Sequence, residues 1–341
     1  MAAGSGPSGP AWLEWPSRAM VGAGRPKVVA KMIARSEQAA MQGRTVLVTG
    51  GTGGIGYQTA RILARQGARV LITGLETGPG EDAAAAIRRE SGQELVTFLQ
   101  ADHATVAGNR QLADQIRAAV TSLDVLVNNV GGLYQTRWET TDGYEATLAM
   151  NFVGPFTLTS ELLPLLQANA PTRCINVVSA GFKMWKPDPF QDPQSTTHYV
   201  SGDAYAHTKL LNVLFSLALA KRLPAEQVTI NLVHPGMAWT QMTQSMTSQT
   251  MPSLRLVWPL LRLLQRRHSP EKAGQRVAFL ASSPQVSGYT GQYFEGTPTP
   301  KRLSARELDP EYQQRAWQLG AELVAGAGTR HRSASARPRR S

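Results

Sequence analysis

The chain has 341 residues, 42% hydrophobic and 17% charged, enough apolar material for one domain of about 250 residues plus tails. Its formal charge of +11 gathers at the ends: residues 1 to 44 carry +4 and "GTRHRSASARPRRS" carries +5, which leaves about +2 for the body. That distribution argues against a nucleic-acid-binding body, no run of 18 apolar residues could span a bilayer, and the lone Cys174 excludes an internal disulfide or a multi-cysteine metal site.

The opening "MAAGSGPSGPAWLEWPSRAMVGAGRP", residues 1 to 26, is rich in Gly, Pro, Ala and Ser and predicts a flexible arm. It has no apolar stretch of signal-peptide length, and its scattered Arg and Lys make only a weak case for a transit peptide. The expectation is a soluble, cytoplasmic protein with a folded body at 27 to 328 and a basic flexible tail at 329 to 341.

Along the body, strand and helix patterns alternate. "RTVLVTG" reads as a strand, "YQTARILARQG" as a helix closed by Gly, "ARVLITG" as a strand and "EDAAAAIRRESG" as a helix. Further strands follow at "LVTFLQ", "LDVLVNN", "RCINVVS", "VTINLVHPG" and "GQYFEG", mostly with helical stretches between them. Such alternation predicts an α/β fold: a parallel sheet with helices on both faces. Cys174, within "RCINVVS", reads as a core filler.

At the first strand-to-helix turn stands "TGGTGGIG", Thr49 to Gly56. Glycines let the backbone turn tightly and approach a pyrophosphate, and the next helix offers unpaired N–H groups to its charge. Because Gly53 and Gly54 are both present, two glycine spacings fit. Later, "AYAHTKLLNVLF" sets Tyr205 and Lys209 four positions apart, on one helical face. A free phenol titrates near pH 10, and a cation one turn away is expected to favour the phenolate.

These landmarks and others in register resemble the short-chain dehydrogenase/reductase family, retinol dehydrogenase-like branch, over about residues 44 to 323. Asp102 follows the third strand, "NNVG" the fourth, and Asn151 lies in "NFVGPF"; "NNVG" and the short C-terminal part favour the T-G-x-x-x-G-x-G spacing over that of the longer epimerase-like relatives. Ser179 closes the fifth strand, and "HPGMAWT" resembles the family's P-G-x-x-x-T loop. The resemblance implies a single Rossmann-type, doubly wound parallel sheet and interconversion of an alcohol with a ketone or aldehyde, with NAD(H) or NADP(H) as cofactor. It implies Tyr205 as acid/base, Lys209 also bonding the nicotinamide ribose, Ser179 holding the substrate oxygen, and Asn151 supporting a water-linked proton path. The cofactor contacts it implies are Gly50, Thr52, Gly53, Gly54, Ile55, Gly56, Glu76, Asp102, His103, Asn128, Asn129, Tyr205, Lys209, Pro235, Gly236 and Thr240. For His103 two placements stay open, beside adenine or in solvent.

No metal is expected, since His198, His207 and His234 share no ligand spacing with carboxylates or cysteines. Tyr199 has Asp203 where a lysine partner would stand, and reads as loop surface or pocket lining. The segment 237 to 268 corresponds to the family's substrate lid, and its Met, Leu and Trp suggest an apolar substrate. Packing against the body or a second copy is an equal alternative, and Arg255, Arg262, Arg266 and Arg267 add a third, peripheral membrane contact. Trp185 and Phe190 are candidates for a second pocket wall. The rival function is a non-catalytic dinucleotide-binding scaffold or redox sensor.

Cofactor choice turns on "VLITGLETG". Relatives that bind a 2′-phosphate usually carry Arg at the position of Leu75, and many NAD-binding relatives carry Asp at that of Gly74. Position 57, often a second cation, is Tyr57, and the nearest charge is Glu76, which leans toward NAD, whereas the resemblance to the retinol dehydrogenase-like branch, where NADP is common, leans the other way.

Overall fold

The computed structural model describes residues 40–184, 187–248, 250 and 268–334. The predicted arm, Trp185, most of the predicted lid with its four arginines, and residues 335–341 lie outside the described residues.

The alternation read from the sequence is realised as a doubly wound sheet. Strand β1 (Thr45–Val48) leads into α1 (Gly54–Arg65), β2 (Arg69–Gly74) into α2 (Thr77–Ser91), and β3 (Val96–Gln100) into α3 (Val106–Ala119). After β4 (Val125–Asn128), helix α4 runs through Ala146–Leu148, a π-helical turn Ala149–Val153, and Gly154–Ala168. Strand β5 (Thr172–Val177), helix α5 (Ser201–Ala220), strand β6 (Val228–His234) and the short α6 (Gln241–Ser245) follow. The chain continues through α7 (Pro270–Ser282), β7 (Gln292–Glu295), β8 (Pro300–Lys301), α8 (Ala305–Leu308) and α9 (Pro310–Ala334). The boundary drawn from composition at residue 328 thus falls inside α9.

The sheet order is β3-β2-β1-β4-β5-β6-β7-β8. Seven strands are parallel, as expected, and β8 adds an antiparallel edge. Sequence patterning misses β8 because two residues, one of them Pro300, show no period. The central strands are largely apolar because helices cover both faces. Leu47, Leu71, Leu126, Cys174 and Leu232 point to one cluster, and Val46, Val48, Val70, Ile72, Val127, Ile175 and Val233 to the other. Cys174 is fully buried, and burial pushes its thiol up to about 12, so it packs and does not react at neutral pH.

Helix α9 closes the first face. Its Trp317 ring lies 5.1 Å from that of Phe156 on α4, and Arg222 stacks over the same indole at 4.5 Å. A Cβ at Gly320 would come within 2.5 Å of Phe156, so only glycine lets the helix approach this closely. The Tyr144 hydroxyl donates to the Leu323 carbonyl, fixing the helix at its middle.

Candidate active site

The switch in strand order between β1 and β4 opens a crevice at the strands' carboxyl ends, where doubly wound sheets bind ligands. The glycine turn lies on one side of it. Gly50 and Gly54 take positive φ, 64° and 55°, and a Cβ at Gly56 would sit 2.2 Å from the Gly50 carbonyl oxygen. Gly53 is extended, and a Cβ there would meet nothing within 4 Å. Gly50, Gly54 and Gly56 thus need to be glycine while Gly53 does not, in line with the T-G-x-x-x-G-x-G spacing that the resemblance favours. The open space over Gly53 and the unpartnered first-turn N–H groups expected at the start of α1 fit a pyrophosphate. Thr52 lies against Gly74, at the end of β2, where an added Cβ would be 2.6 Å from its methyl.

The "NNVG" segment is sewn to this turn. Asn129 donates from its side chain to the Thr49 carbonyl at 2.8 Å, and the N–H groups of Asn129 and Val130 both donate to the Thr49 hydroxyl at 3.0 Å. Asn128 instead turns inward, donating to Thr159 and Asn176 at 2.8 Å in a buried network beneath the crevice.

His103 corrects one of its two expected placements: it is buried, not in solvent. Asn109 donates from its amide to the carbonyls of His103 at 3.1 Å and Thr105 at 2.7 Å, which leaves its Oδ1 as acceptor. His103 therefore donates from Nδ1 to Asn109 at 2.9 Å and accepts at Nε2 from the Thr73 hydroxyl at 2.7 Å. Burial holds the ring neutral. Thr73 in turn accepts from the Gly50 N–H at 3.2 Å, so the imidazole braces the glycine turn from below. Asp102 spends one carboxylate oxygen on the Ala104 N–H at 2.9 Å.

Beyond β2, Leu75 is 63% exposed, with its carbonyl held by Gln100 at 3.0 Å. Glu76 is exposed at the N-cap of α2 and makes no side-chain capping bond there. The Tyr57 hydroxyl donates to Glu90 at 2.9 Å.

The four expected catalytic residues converge across the crevice. Asn151 sits in the π-helical turn, fully buried, accepting from the Gly132 N–H at 2.8 Å and donating to the Gly132 carbonyl at 2.9 Å and the Thr208 hydroxyl at 3.1 Å. The backbone carbonyl of Asn151 accepts from the Asn212 amide at 2.9 Å. A Cβ at Gly131 would lie 3.1 Å from Asn151 Oδ1 and 3.3 Å from Lys209 Nζ, so both groups border one point. Lys209 donates to the Val177 carbonyl at 3.2 Å, with its Nζ 5.7 Å from the Tyr205 ring centroid. Ser179 accepts from the Gly181 N–H at 3.2 Å and bonds the Tyr205 phenol.

The electrostatics differ from the sequence expectation. Burial pushes Tyr205 up to about 12, opposed only in part by Ser179, and pushes Lys209 down to about 8. Desolvation outweighs the attraction of a cation that sits beside the ring and bonds a backbone carbonyl. Leu133, Met242 and Met246 pack with Tyr205 to form an apolar wall. Phe190, one proposed wall residue, packs instead on Tyr312 at 5.7 Å and under Arg315 at 4.3 Å. Tyr199 donates to the Tyr134 carbonyl at 2.7 Å and lies 3.3 Å from the Thr147 hydroxyl. The supporting residues Thr73, Asn109, Thr208 and Asn212 escaped the sequence reading, since each acts through a partner that only the fold supplies.

The last segment of the crevice is the loop 235 to 240. Gly236 has φ 87°, and Thr240 caps α6 in a box with Thr243. A Cβ at Gly54 would lie 3.1 Å from the Thr240 methyl, so the loop ends against the glycine turn. Among the described residues, no group of His, Cys, Asp and Glu could hold a metal, and no helix is long and apolar enough to cross a membrane.

A glycine turn at the switch point and a Ser-Tyr-Lys-Asn cluster opposite it are the marks of a nicotinamide-dependent dehydrogenase. The short chain dehydrogenase family matches residues 44–251, and the chain belongs to that family. It is similar to human retinol dehydrogenase 13, 35% identical over 290 residues that cover 84% of this chain and 86% of that protein. Mouse polyprenol dehydrogenase is 33% identical over 293 residues, covering 84% and 85%. Among solved structures, an uncharacterised protein from Mycobacterium paratuberculosis superposes with TM-score 0.65 at 27% identity, covering 86% of this chain and 97% of that one. The Pseudomonas aeruginosa RhlG/NADP active-site complex superposes with TM-score 0.60 at 27% identity, covering 76% and 96%. The chain is thus an NAD(P)-dependent oxidoreductase that interconverts alcohols and carbonyl compounds.

Proposed function

We propose that Tyr205 is the acid/base of this reaction, acting on an apolar alcohol or carbonyl compound. The observation that carries the proposal is the convergence of Ser179, Tyr205, Lys209 and Asn151 on one side of the crevice. A bound nicotinamide dinucleotide would supply or accept the hydride. Gly50, Gly54 and Gly56 shape its phosphate cradle, with Gly53, Ile55 and the start of α1 presenting backbone to it. The Ser179 hydroxyl, already bonded to the phenol, orients the substrate oxygen toward Tyr205. Tyr205 is neutral at physiological pH, so it is poised to donate its proton to an oxygen gaining negative charge. Lys209 and Asn151 border the same point, on a path by which the Tyr205 phenolate left after that donation regains a proton.

The wall of Leu133, Met242 and Met246 favours an apolar substrate. Retinol and polyprenol, which name two of the relatives, are long apolar alcohols of this kind. Replacing Tyr205 with Phe should lower turnover by about 10²-fold or more while dinucleotide still binds. Near-normal turnover in that variant sinks the assignment.

For the cofactor we propose a preference for NAD. Glu76 places an exposed carboxylate just beyond β2, and Tyr57 is engaged by Glu90. A carboxylate suits a ribose diol and repels a 2′-phosphate. Glu76→Arg should shift the ratio of affinities toward NADP by about tenfold. If the unaltered protein binds NADP at least about tenfold more tightly than NAD, the preference is refuted.

A further inference from the structure

We propose that Arg276 is a positioning residue for the dinucleotide, setting the loop 235 to 240 at the height the cofactor requires. The proposal rests on the reading of that loop as a cofactor contact. Arg276 lies in the middle of α7, and its Nη1 donates to the Pro235 carbonyl at 2.7 Å. The guanidinium is wedged between two glycine turns. A Cβ at Gly236 would fall 2.2 Å from Nη1, and one at Gly296 would fall 3.4 Å from Cζ. Both glycines have positive φ, 87° and 69°, so the turns that end β6 and β7 share the same side chain as filler. Among the described residues Arg276 forms no ion pair. Its half-buried charge is spent on backbone, which a planar, multi-donor head can grip where a shorter side chain cannot.

Helix α7 is itself referenced to the phosphate-binding side. A Cβ at Gly274 would lie 2.6 Å from the Cβ of Gln58, so α7 rests directly on α1. Glu271 pairs with Arg61 of α1 at 3.0 Å. The start of the loop is therefore held by a helix fastened to α1, and its end, Thr240, lies against the turn that begins α1. Arg276 closes this circuit. Without it the loop start is free to drift from the glycine turn, and the two halves of the cradle lose their registry. The loss falls on binding, because Arg276 meets the loop at the backbone of Pro235 and Gly236.

The test titrates NAD, NADH, NADP and NADPH into the purified full-length chain by calorimetry, with a thermal melt of each variant. Arg276→Gln should weaken the preferred dinucleotide by about tenfold or more, and raise its KM with kcat at saturation changed less than about threefold. Arg276→Lys, which keeps a donor but not the fork, should fall between, while both variants melt cooperatively near the wild-type temperature. Gly236→Ala should cost less affinity in an Arg276→Ala background than alone, because its collision with the guanidinium is gone. Unchanged affinity in Arg276→Gln, or a loss of affinity that merely tracks a lowered melt in both Arg276→Gln and Arg276→Lys, overturns the positioning role and leaves the functional reading intact. A wild-type chain that binds none of the four dinucleotides overturns both.

Discussion

Lys209 shows how a single buried group couples the site to stability. Its ammonium has an ordinary value of 10.5 and is lowered to about 8 by burial in the cofactor-free protein. Below pH 8 both folded and unfolded chains carry the proton, and the folded state bears the desolvation cost. Between about 8 and 10.5 the folded chain has shed a proton that the unfolded chain retains, so stability rises with pH across that window. Urea titrations of the cofactor-free protein and of Lys209→Met at pH 7 to 10 should show wild type gaining on the variant, by on the order of 2 kcal/mol. A difference that stays flat with pH would show that the ammonium is not desolvated. Tyr205 and Lys209 could be named from sequence because four-residue spacing survives any tertiary context. The sign of the Tyr205 shift could not, since it depends on burial contributed by Leu133 and Met246, far away along the chain. His103 is similar: its neighbours Thr73 and Asn109 meet it only once β2, β3 and α3 are assembled.

At the scale of elements, the placement of Asn151 depends on how helix α4 begins. The Glu145 carboxylate is buried and accepts from the N–H groups of Thr147 at 2.8 Å and Leu148 at 2.7 Å. Those bonds fix the turn that runs into the π-helical stretch Ala149–Val153. Glu145→Ala should cost about 1–2 kcal/mol in chemical denaturation, as for a lost N-cap, and reduce turnover by loosening Asn151. Glu145→Gln, which keeps one of the two accepting oxygens, should recover part of the loss. Equal damage from both variants would mean that a single accepting oxygen does not hold the turn. The strands and the helix after the glycine turn were legible because their periods are local. The π-helical turn was not, because nothing in "LAMNFVG" departs from an ordinary helical pattern.

For the whole molecule, the decisive packing is that of α9 on the face formed by α4 and α5. Ala316, Leu323 and Ala327 join the same buried cluster as Phe156 and Phe215. Removing residues 310 to 334 should strip that face and abolish the cooperative melt, as followed by circular dichroism and light scattering. Trimming residues 1 to 26 and 329 to 341, which composition sets apart from the domain, should leave melting and turnover nearly unchanged. If the shorter trim is as damaging as the longer, the domain boundary lies elsewhere.

The position of α9 in the chain also bears on synthesis. Residues 146 to 220, which form the face, leave the ribosome before the helix that covers it has been made. At about 5–20 residues per second, the ninety residues between the end of α5 and the start of α9 take several seconds. Throughout that interval Phe156 and Phe215 lack Trp317 and its neighbours. Cellular yield of the intact protein should therefore depend on holding chaperones more than its equilibrium stability suggests, and slowing translation after Ala220 should lower the soluble fraction.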